Sequence, residues 1–183
     1  MKCPCCLSYA YDLLQAVGAA IVYIHEGGCL CGAVRYQTQG EPTRITICHC
    51  RFCQRATGVA YMVEPIFRPE DVRVTLGVPS IYTHLSEGSG KHLHIHSCSV
   101  CATKLYVLFE RFPDICGVYG GTFDNPAWFA VEPTNTRHIC IDTARPDTFL
   151  PAGFPMFHQH PVAKDGTVRD PFFLDTSRYG PPA

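Results

Sequence analysis

Cysteine spacing constrains this 183-residue chain more than any other feature of its sequence. Seven of the twelve cysteines lie in three tight clusters: Cys29-x-Cys31, Cys48-x-Cys50-x2-Cys53 and Cys98-x2-Cys101. Cysteines one or two residues apart rarely bridge each other, because disulfide geometry is demanding. Such spacings are instead typical of the ligands of a metal ion. We therefore predict that metal binding organises the fold.

The three clusters divide most economically into a set of four sulfurs and a set of three. The set of four, called the outer set below, comprises Cys29, Cys31, Cys98 and Cys101. The set of three, called the triad, comprises Cys48, Cys50 and Cys53. Structural zinc normally has four protein ligands, whereas catalytic zinc keeps one position open. We therefore predict two Zn²⁺ ions per chain, a structural ion in the outer set and an open one on the triad.

The fourth ligand position of a metal ion on the triad could be used in more than one way. A second structural zinc would result if His49, a histidine of the segment 92–96 or a neighbouring chain closed it. A thiol-redox sensor, in which the triad loses zinc and forms a disulfide, is another alternative. Alternate residues of a strand point to the same side, so one side of a strand would carry His92, His94, His96 and Cys98. We favour a polar sheet face as the role of the three histidines. Cys116 and Cys140 lie in strand patterns without partners nearby, so we expect small buried core residues there.

Composition indicates a folded domain with no strong charge. Hydrophobic residues make up 46% of the chain and charged residues 17%, which excludes a disordered chain. The net charge of -1 provides no electrostatic footprint for nucleic acid or an acidic membrane. The apolar run 13–24 is interrupted and too short to span a bilayer, and no convincing secretory signal is present. We therefore expect a protein of the reducing cytoplasm without nucleic-acid or membrane partners.

Three segments are expected along the chain. Residues 1–25, with Cys3, Cys5 and Cys6, form an atypical N-terminal extension, read as a leader foreign to the domain or as a third metal cluster. Residues 26–145 form the zinc-binding domain, in which short alternating runs predict strands. A short helix is predicted over 51–57, ending at Gly58. Residues 146–183 form a Pro-rich C-terminal segment that packs on the domain.

The cysteine clusters and their neighbours resemble a known family, the glutathione-dependent formaldehyde-activating enzymes, which include centromere protein V relatives. The resemblance is carried by Gly28-Cys29-Leu30-Cys31-Gly32-Ala33-Val34-Arg35-Tyr36, by the run Cys48-His49-Cys50-Arg51-Phe52-Cys53-Gln54-Arg55-Ala56-Thr57-Gly58, and by Cys98-Ser99-Val100-Cys101. It implies a mainly β fold, a zinc-stapled β-tent of small twisted antiparallel sheets, and the same division of sulfurs into four and three. Gln54 departs from the family, which often has arginine there, and Ala102 replaces a usual glycine.

The resemblance also implies an activity. Family members add glutathione to formaldehyde to give S-hydroxymethylglutathione, a carbon–sulfur lyase activity, and a related thiol–aldehyde adduct is equally open here. Cys48, Cys50 and Cys53 would then be the catalytic cysteines. Arg51 and Arg55, four residues apart on the short helix, are expected to face the same way and bind the carboxylates of glutathione. Lys104 and Arg35 are the alternatives for this role. The alternative is a non-catalytic zinc-binding interaction module, and a homodimer is left open.

Overall fold

The computed structural model describes residues 22–181, and within them the chain is built from strands. The strands are β1 (Ile24–Gly28), β2 (Arg35–Gln39), β3 (Arg44–Cys48), β4 (Met62–Phe67), β5 (Val72–Leu76), β6 (Ser80–Leu85), β7 (His92–Ser97), β8 (Lys104–Phe109), β9 (Phe112–Val118), β10 (Thr136–Ile139), β11 (Phe149–Leu150) and β12 (Arg178–Tyr179). One α-helix, α1 (Arg51–Thr57), and three short 3-10 turns accompany them in the described part.

The strands form three sheets. A three-stranded sheet has the order β1-β2-β5, a seven-stranded sheet the order β10-β3-β4-β9-β8-β7-β6, and β11 pairs with β12. Every pairing is antiparallel except that of β10 with β3, which is parallel. The mainly β fold class is confirmed, and the largest sheet is mixed rather than purely antiparallel.

Two apolar clusters use opposite faces of the seven-stranded sheet. Successive strand residues point to opposite faces, so Val107 of β8 and Cys116 of β9 belong to different clusters. Val107 packs in the cluster that contains the triad cysteines Cys48 and Cys53. Cys116 packs in the cluster that contains Cys29 and Cys98 of the outer set. Each sulfur set therefore lies at the border of its own apolar core.

Helix α1 follows β3 almost directly, and its bounds agree with the prediction. Cys50 is its N-cap, and the Cys50 Sγ accepts a hydrogen bond from the Cys53 N–H at 3.3 Å. Gly58 ends the helix in the left-handed conformation, with φ of 75°, and its N–H donates to the Gln54 carbonyl at 2.8 Å. A left-handed residue after the last turn is the usual stop for a helix, and glycine adopts it without a Cβ clash.

Three strands begin or end close to positions that the sequence analysis considered. Strand β10 ends at Ile139, and the next residue, Cys140, has a left-handed backbone. Strand β7 ends at Ser97, one residue before Cys98, and the register shift at this end lies in β8, where Leu105 has no partner on β7. Strand β1 begins at Ile24, within the stretch expected as extension, and the cysteines at 3, 5 and 6 lie outside the described residues.

In the described chain no helix combines the length and apolarity needed to cross a membrane.

The chain after residue 146 contributes a third apolar cluster. Ile141, Leu150 and Met156 are fully buried together. The backbone of Met156 exchanges hydrogen bonds with Phe172 at 2.9 and 2.8 Å, and its neighbours bond to both backbone groups of His138 at 2.9 Å. This segment therefore continues the sheet edge beyond β10 and covers the end of the strand that leads to Cys140.

Candidate metal centres

The outer set is assembled from two knuckles that are far apart in sequence. The four sulfurs of Cys29, Cys31, Cys98 and Cys101 all lie within 4.8 Å of one another. Cys31 Sγ lies 3.6 Å from Cys29 Sγ and 3.7 Å from Cys98 Sγ. Four sulfurs at 2.3 Å from a tetrahedral ion would be about 3.8 Å apart. The predicted grouping of these cysteines thus has a spacing that could hold such an ion.

Backbone N–H groups in each knuckle point at sulfur. The Val34 N–H donates to Cys29 Sγ at 3.2 Å, and the Val100 N–H donates to Cys98 Sγ at 3.4 Å. Hydrogen bonds from the Thr103 hydroxyl and backbone lower the pKa of Cys101 to about 5. Such donors stabilise the thiolate, which is the form that binds a metal.

The triad is built where β3 passes into α1. Cys48 is the last residue of β3, Cys50 caps the helix and Cys53 lies in its first turn. Their three sulfurs all lie within 4.8 Å of one another. Cys48 and Cys53 are buried, whereas Cys50 is half-buried, so the triad can be approached from the side of Cys50.

A fourth thiol, which the sequence pattern missed, adjoins the triad. The expectation that Cys140 is a buried core residue without partners is wrong: its side chain is half-buried and packs against the apolar cluster that contains Cys48 and Cys53. Hydrogen bonds from Cys140, Cys48 and Cys53 hold the pKa of Cys50 well below its ordinary value. The same expectation is confirmed for Cys116, which is 1% exposed in an apolar cluster.

Histidine does not close the triad within residues 22–181. The His49 side chain turns away from the sulfurs, and its Nε2 lies 3.1 Å from His138 Nδ1. Burial lowers the pKa of each of these two histidines to about 4, so the pair is neutral at pH 7. On β7, His94 bonds to Thr83 and His96 stacks on Tyr106. His92 is exposed and His94 half-buried, as on a polar face, whereas His96 is buried.

The predicted arginine pair lies on helix α1. Arg51 and Arg55 both line one cavity of about 260 Å³, and Arg145 lines it too. Each of the first two arginines is two positions from Cys53 and so points about 160° away from it around the helix axis. The cavity thus adjoins the helix face opposite Cys53. Arg145 was not found from the sequence, because it comes from a distant turn.

Gln54, at the position where the resembling family often has arginine, ties the triad to that turn. Its Nε2 donates to the His49 carbonyl at 2.6 Å and to the Thr143 carbonyl at 2.7 Å. The Thr143 hydroxyl donates to the same His49 carbonyl at 3.0 Å. An amide can hold two carbonyls in this way without introducing a charge.

A buried carboxyl lies near the triad on the same face of the sheet. Burial, and then the charge on Cys50, raise the pKa of Glu64 to about 8, while Arg44 and Arg137 oppose the rise. Gly117 leaves room for this carboxyl, since a Cβ there would collide with the Glu64 side chain. A lone acidic residue in the apolar run of β4 was the sequence signal that could have identified it.

Glu64 makes the stability of the fold depend on pH. The pKa of Glu64 in the folded protein, about 8, lies above its ordinary value of 4.5. Its contribution to the free energy of unfolding is therefore complete below pH 4.5 and is lost as pH rises through 8. We expect the free energy of unfolding to fall by about 2 kcal/mol between pH 6 and 8, and Glu64→Gln to abolish that loss. Urea denaturation at several pH values measures it. The exposed Glu70→Gln should keep the wild-type slope; parallel curves for Glu64→Gln and wild type would contradict this account.

A second prediction concerns the outer set. Cys98 and Cys116 are buried in the same apolar cluster, at 2% and 1% exposure. Replacing either with alanine removes the same volume, but only Cys98→Ala removes a sulfur of the outer set. Because a structural zinc contributes on the order of 10 kcal/mol to folding, we expect Cys98→Ala to be insoluble and Cys116→Ala to stay soluble. Equal soluble yields after expression would contradict a structural role for the outer set.

Comparison with known proteins agrees with this architecture. Residues 24–141 match the family described as glutathione-dependent formaldehyde-activating enzyme. A Halomonas elongata protein described as "Putative glutathione-dependent formaldehyde-activating enzyme" is 29% identical over 125 residues, which cover 67% of this chain and 77% of that protein. A solved Rhodobacter sphaeroides protein is 21% identical, with a TM-score of 0.42 over 60% of this chain and 92% of its own, a likeness too distant to support an argument. The family match extends over more than half of the chain, and the chain belongs to the family of glutathione-dependent formaldehyde-activating enzymes.

Proposed function

We propose that this protein is a zinc-dependent carbon–sulfur lyase that promotes the addition of glutathione to formaldehyde, giving S-hydroxymethylglutathione. The observation that carries the proposal is the convergence of the triad sulfurs within 4.8 Å inside a region that matches the family. Formaldehyde is small and needs no large pocket. The thiol, by contrast, must be brought to the sulfurs and held as a nucleophile.

Zinc fits both sulfur sets, because thiolate ligands favour soft or borderline ions. The outer set has the four ligands of a structural ion, and the triad would hold the catalytic one. When bound there, zinc supplies a position at which a thiol is held as thiolate at neutral pH. Burial keeps Glu64 mostly protonated at pH 7, so that its carboxyl adds little negative charge beside the triad thiolates.

The arginine-lined cavity is the proposed site for a carboxylate of glutathione. No other residue in the described part of the chain forms a hydrogen bond or ion pair with Arg55, whereas Arg51 donates to Gln54 and Arg145 pairs with Asp147. A free guanidinium can bind a carboxylate with two parallel hydrogen bonds. Because the cavity lies on the helix face away from Cys53, glutathione would bend around the start of α1 to place its sulfur near Cys50.

The triad is tested by Cys50→Ser. A serine oxygen can still cap α1, so the variant removes a sulfur while keeping the helix start. We expect it to lose one of two zinc ions by elemental analysis. Its rate of exchange between glutathione and the formaldehyde adduct, followed by NMR exchange spectroscopy, should fall by about 10²-fold or more. Cys116→Ala is the control. A fully zinc-loaded wild type that does not accelerate the exchange would instead indicate the non-catalytic binding module.

The carboxylate site is tested by Arg55→Gln. Loss of a charge-assisted hydrogen bond costs about 1.5 to 3 kcal/mol, so we expect the KM for glutathione to rise by about tenfold or more, with kcat little changed. Arg73→Gln, on an exposed position of β5, is the matched control. An unchanged KM in the Arg55 variant would place the carboxylates of glutathione elsewhere.

A further inference from the structure

Cys140 reaches the triad through the parallel pairing of two strands. Ile139, the last residue of β10, lies opposite Cys48, the last residue of β3. The His49 N–H donates to the Ile139 carbonyl at 3.0 Å, which extends the pairing past the end of β3. Parallel strands that end together place their next residues at the same edge of the sheet. Cys140 therefore enters the edge at which the triad is built.

The side-chain contacts of Cys140 are with the triad. Its side chain, like that of Cys50, packs against the apolar cluster that contains Cys48 and Cys53. Cys140 is outside the set of sulfurs that all lie within 4.8 Å of one another. Cys140 therefore lies beside the triad without being one of its three mutually close sulfurs.

The backbone of Cys140 is held in a conformation that cysteine rarely adopts. Its φ of 60° and ψ of 42° are left-handed, a conformation that is unfavourable for a residue with a Cβ. The conformation is maintained from both sides, because the Cys140 N–H donates to Gln159 O at 3.2 Å and its carbonyl accepts from the Thr143 N–H and hydroxyl at 3.1 Å. Among residues 22–181, the other non-glycine residue with positive φ is Ala102, next to Cys101 of the outer set. Such strain persists where surrounding structure requires it and is concentrated at functional sites.

We propose that Cys140 is the fourth sulfur ligand of the triad metal in the resting protein and that an entering thiol displaces it. Ligation completes the tetrahedron that the triad leaves open. The looser position of Cys140 relative to the three mutually close sulfurs makes it the ligand that leaves. This inference deepens the proposed function, and only its second half, the displacement, rests on that function.

The displacement balances in atoms and charge. With zinc held by the triad and Cys140, an entering glutathione thiol would give up its proton on binding the metal, and the released Cys140 Sγ would take up that proton. The thiolate count at the site is the same before and after, so that the half-buried site gains no net charge, which would be costly there. Cys140 thus acts as the proton acceptor for the entering thiol, a role that needs no histidine at the triad.

Cadmium-113 NMR of protein loaded with two Cd²⁺ ions tests the ligation, because each site gives its own resonance. We expect both wild-type resonances in the range of all-sulfur sites. Cys140→Ala should move one of them towards the range of mixed sulfur and oxygen ligands and leave the other in place. Cys116→Ala, which removes a buried thiol away from the triad, should move neither. Identical spectra for Cys140→Ala and wild type would overturn the proposal.

Alkylation of the wild-type zinc protein tests the displacement without relying on any variant. We expect Cys140 to be protected from iodoacetamide at rest, and its modification rate, followed by mass spectrometry, to rise by about tenfold or more with glutathione present. S-methylglutathione, which has no thiol to offer, should leave the protection intact. If cadmium NMR shows ligation but glutathione does not expose Cys140, the displacement is wrong while the ligation stands. If Cys140 is reactive at rest, or forms a disulfide with Cys50 in zinc-loaded protein, the ligation is wrong whatever the activity.

Discussion

The pairing of β3 with β10 is the constraint on which the rest of this structure depends. It converts β3 from an edge strand into an inner one, since β4 already occupies its other side. Unpaired strand edges are exposed hydrogen-bonding surfaces that proteins need to cover. Here the covering strand, β10, also positions residues around the triad. It brings His138 to His49 and delivers the turn whose Thr143 carbonyl receives Gln54.

The two sulfur sets are made in different ways, and the difference suits different tasks. The outer set joins two knuckles that belong to different sheets, near the surface, where Cys31 is exposed. An ion there would cross-link two parts of the chain that also share an apolar cluster. The triad comes from one strand–helix junction and is covered by later chain, including Phe157. An ion at the triad would find its surroundings already formed by the sheet.

Local signals in the sequence were sufficient for some of this architecture. Helix α1 was predicted with its observed bounds, because the cysteine spacing requires a turn and Gly58 supplies the stop. The grouping of the seven cysteines followed from counting alone. Cys140 could not be placed by such reasoning, since its position depends on a parallel pairing between residues far apart in the chain. The bulge at Leu105 of β8, which shifts the register of that strand against β7, likewise could not be predicted from the alternation of residue types.

The contact between Gly117 and Glu64 has a consequence for how such a chain can change over time. These residues lie on different strands, and the carboxyl occupies the volume that any side chain at position 117 would need. A substitution at 117 therefore requires the Glu64 side chain to shift or position 64 to become smaller, and a smaller residue at 64 leaves a void until 117 fills it. Among descendants of this sequence, we expect positions 64 and 117 to change together, because the two residues occupy the same volume.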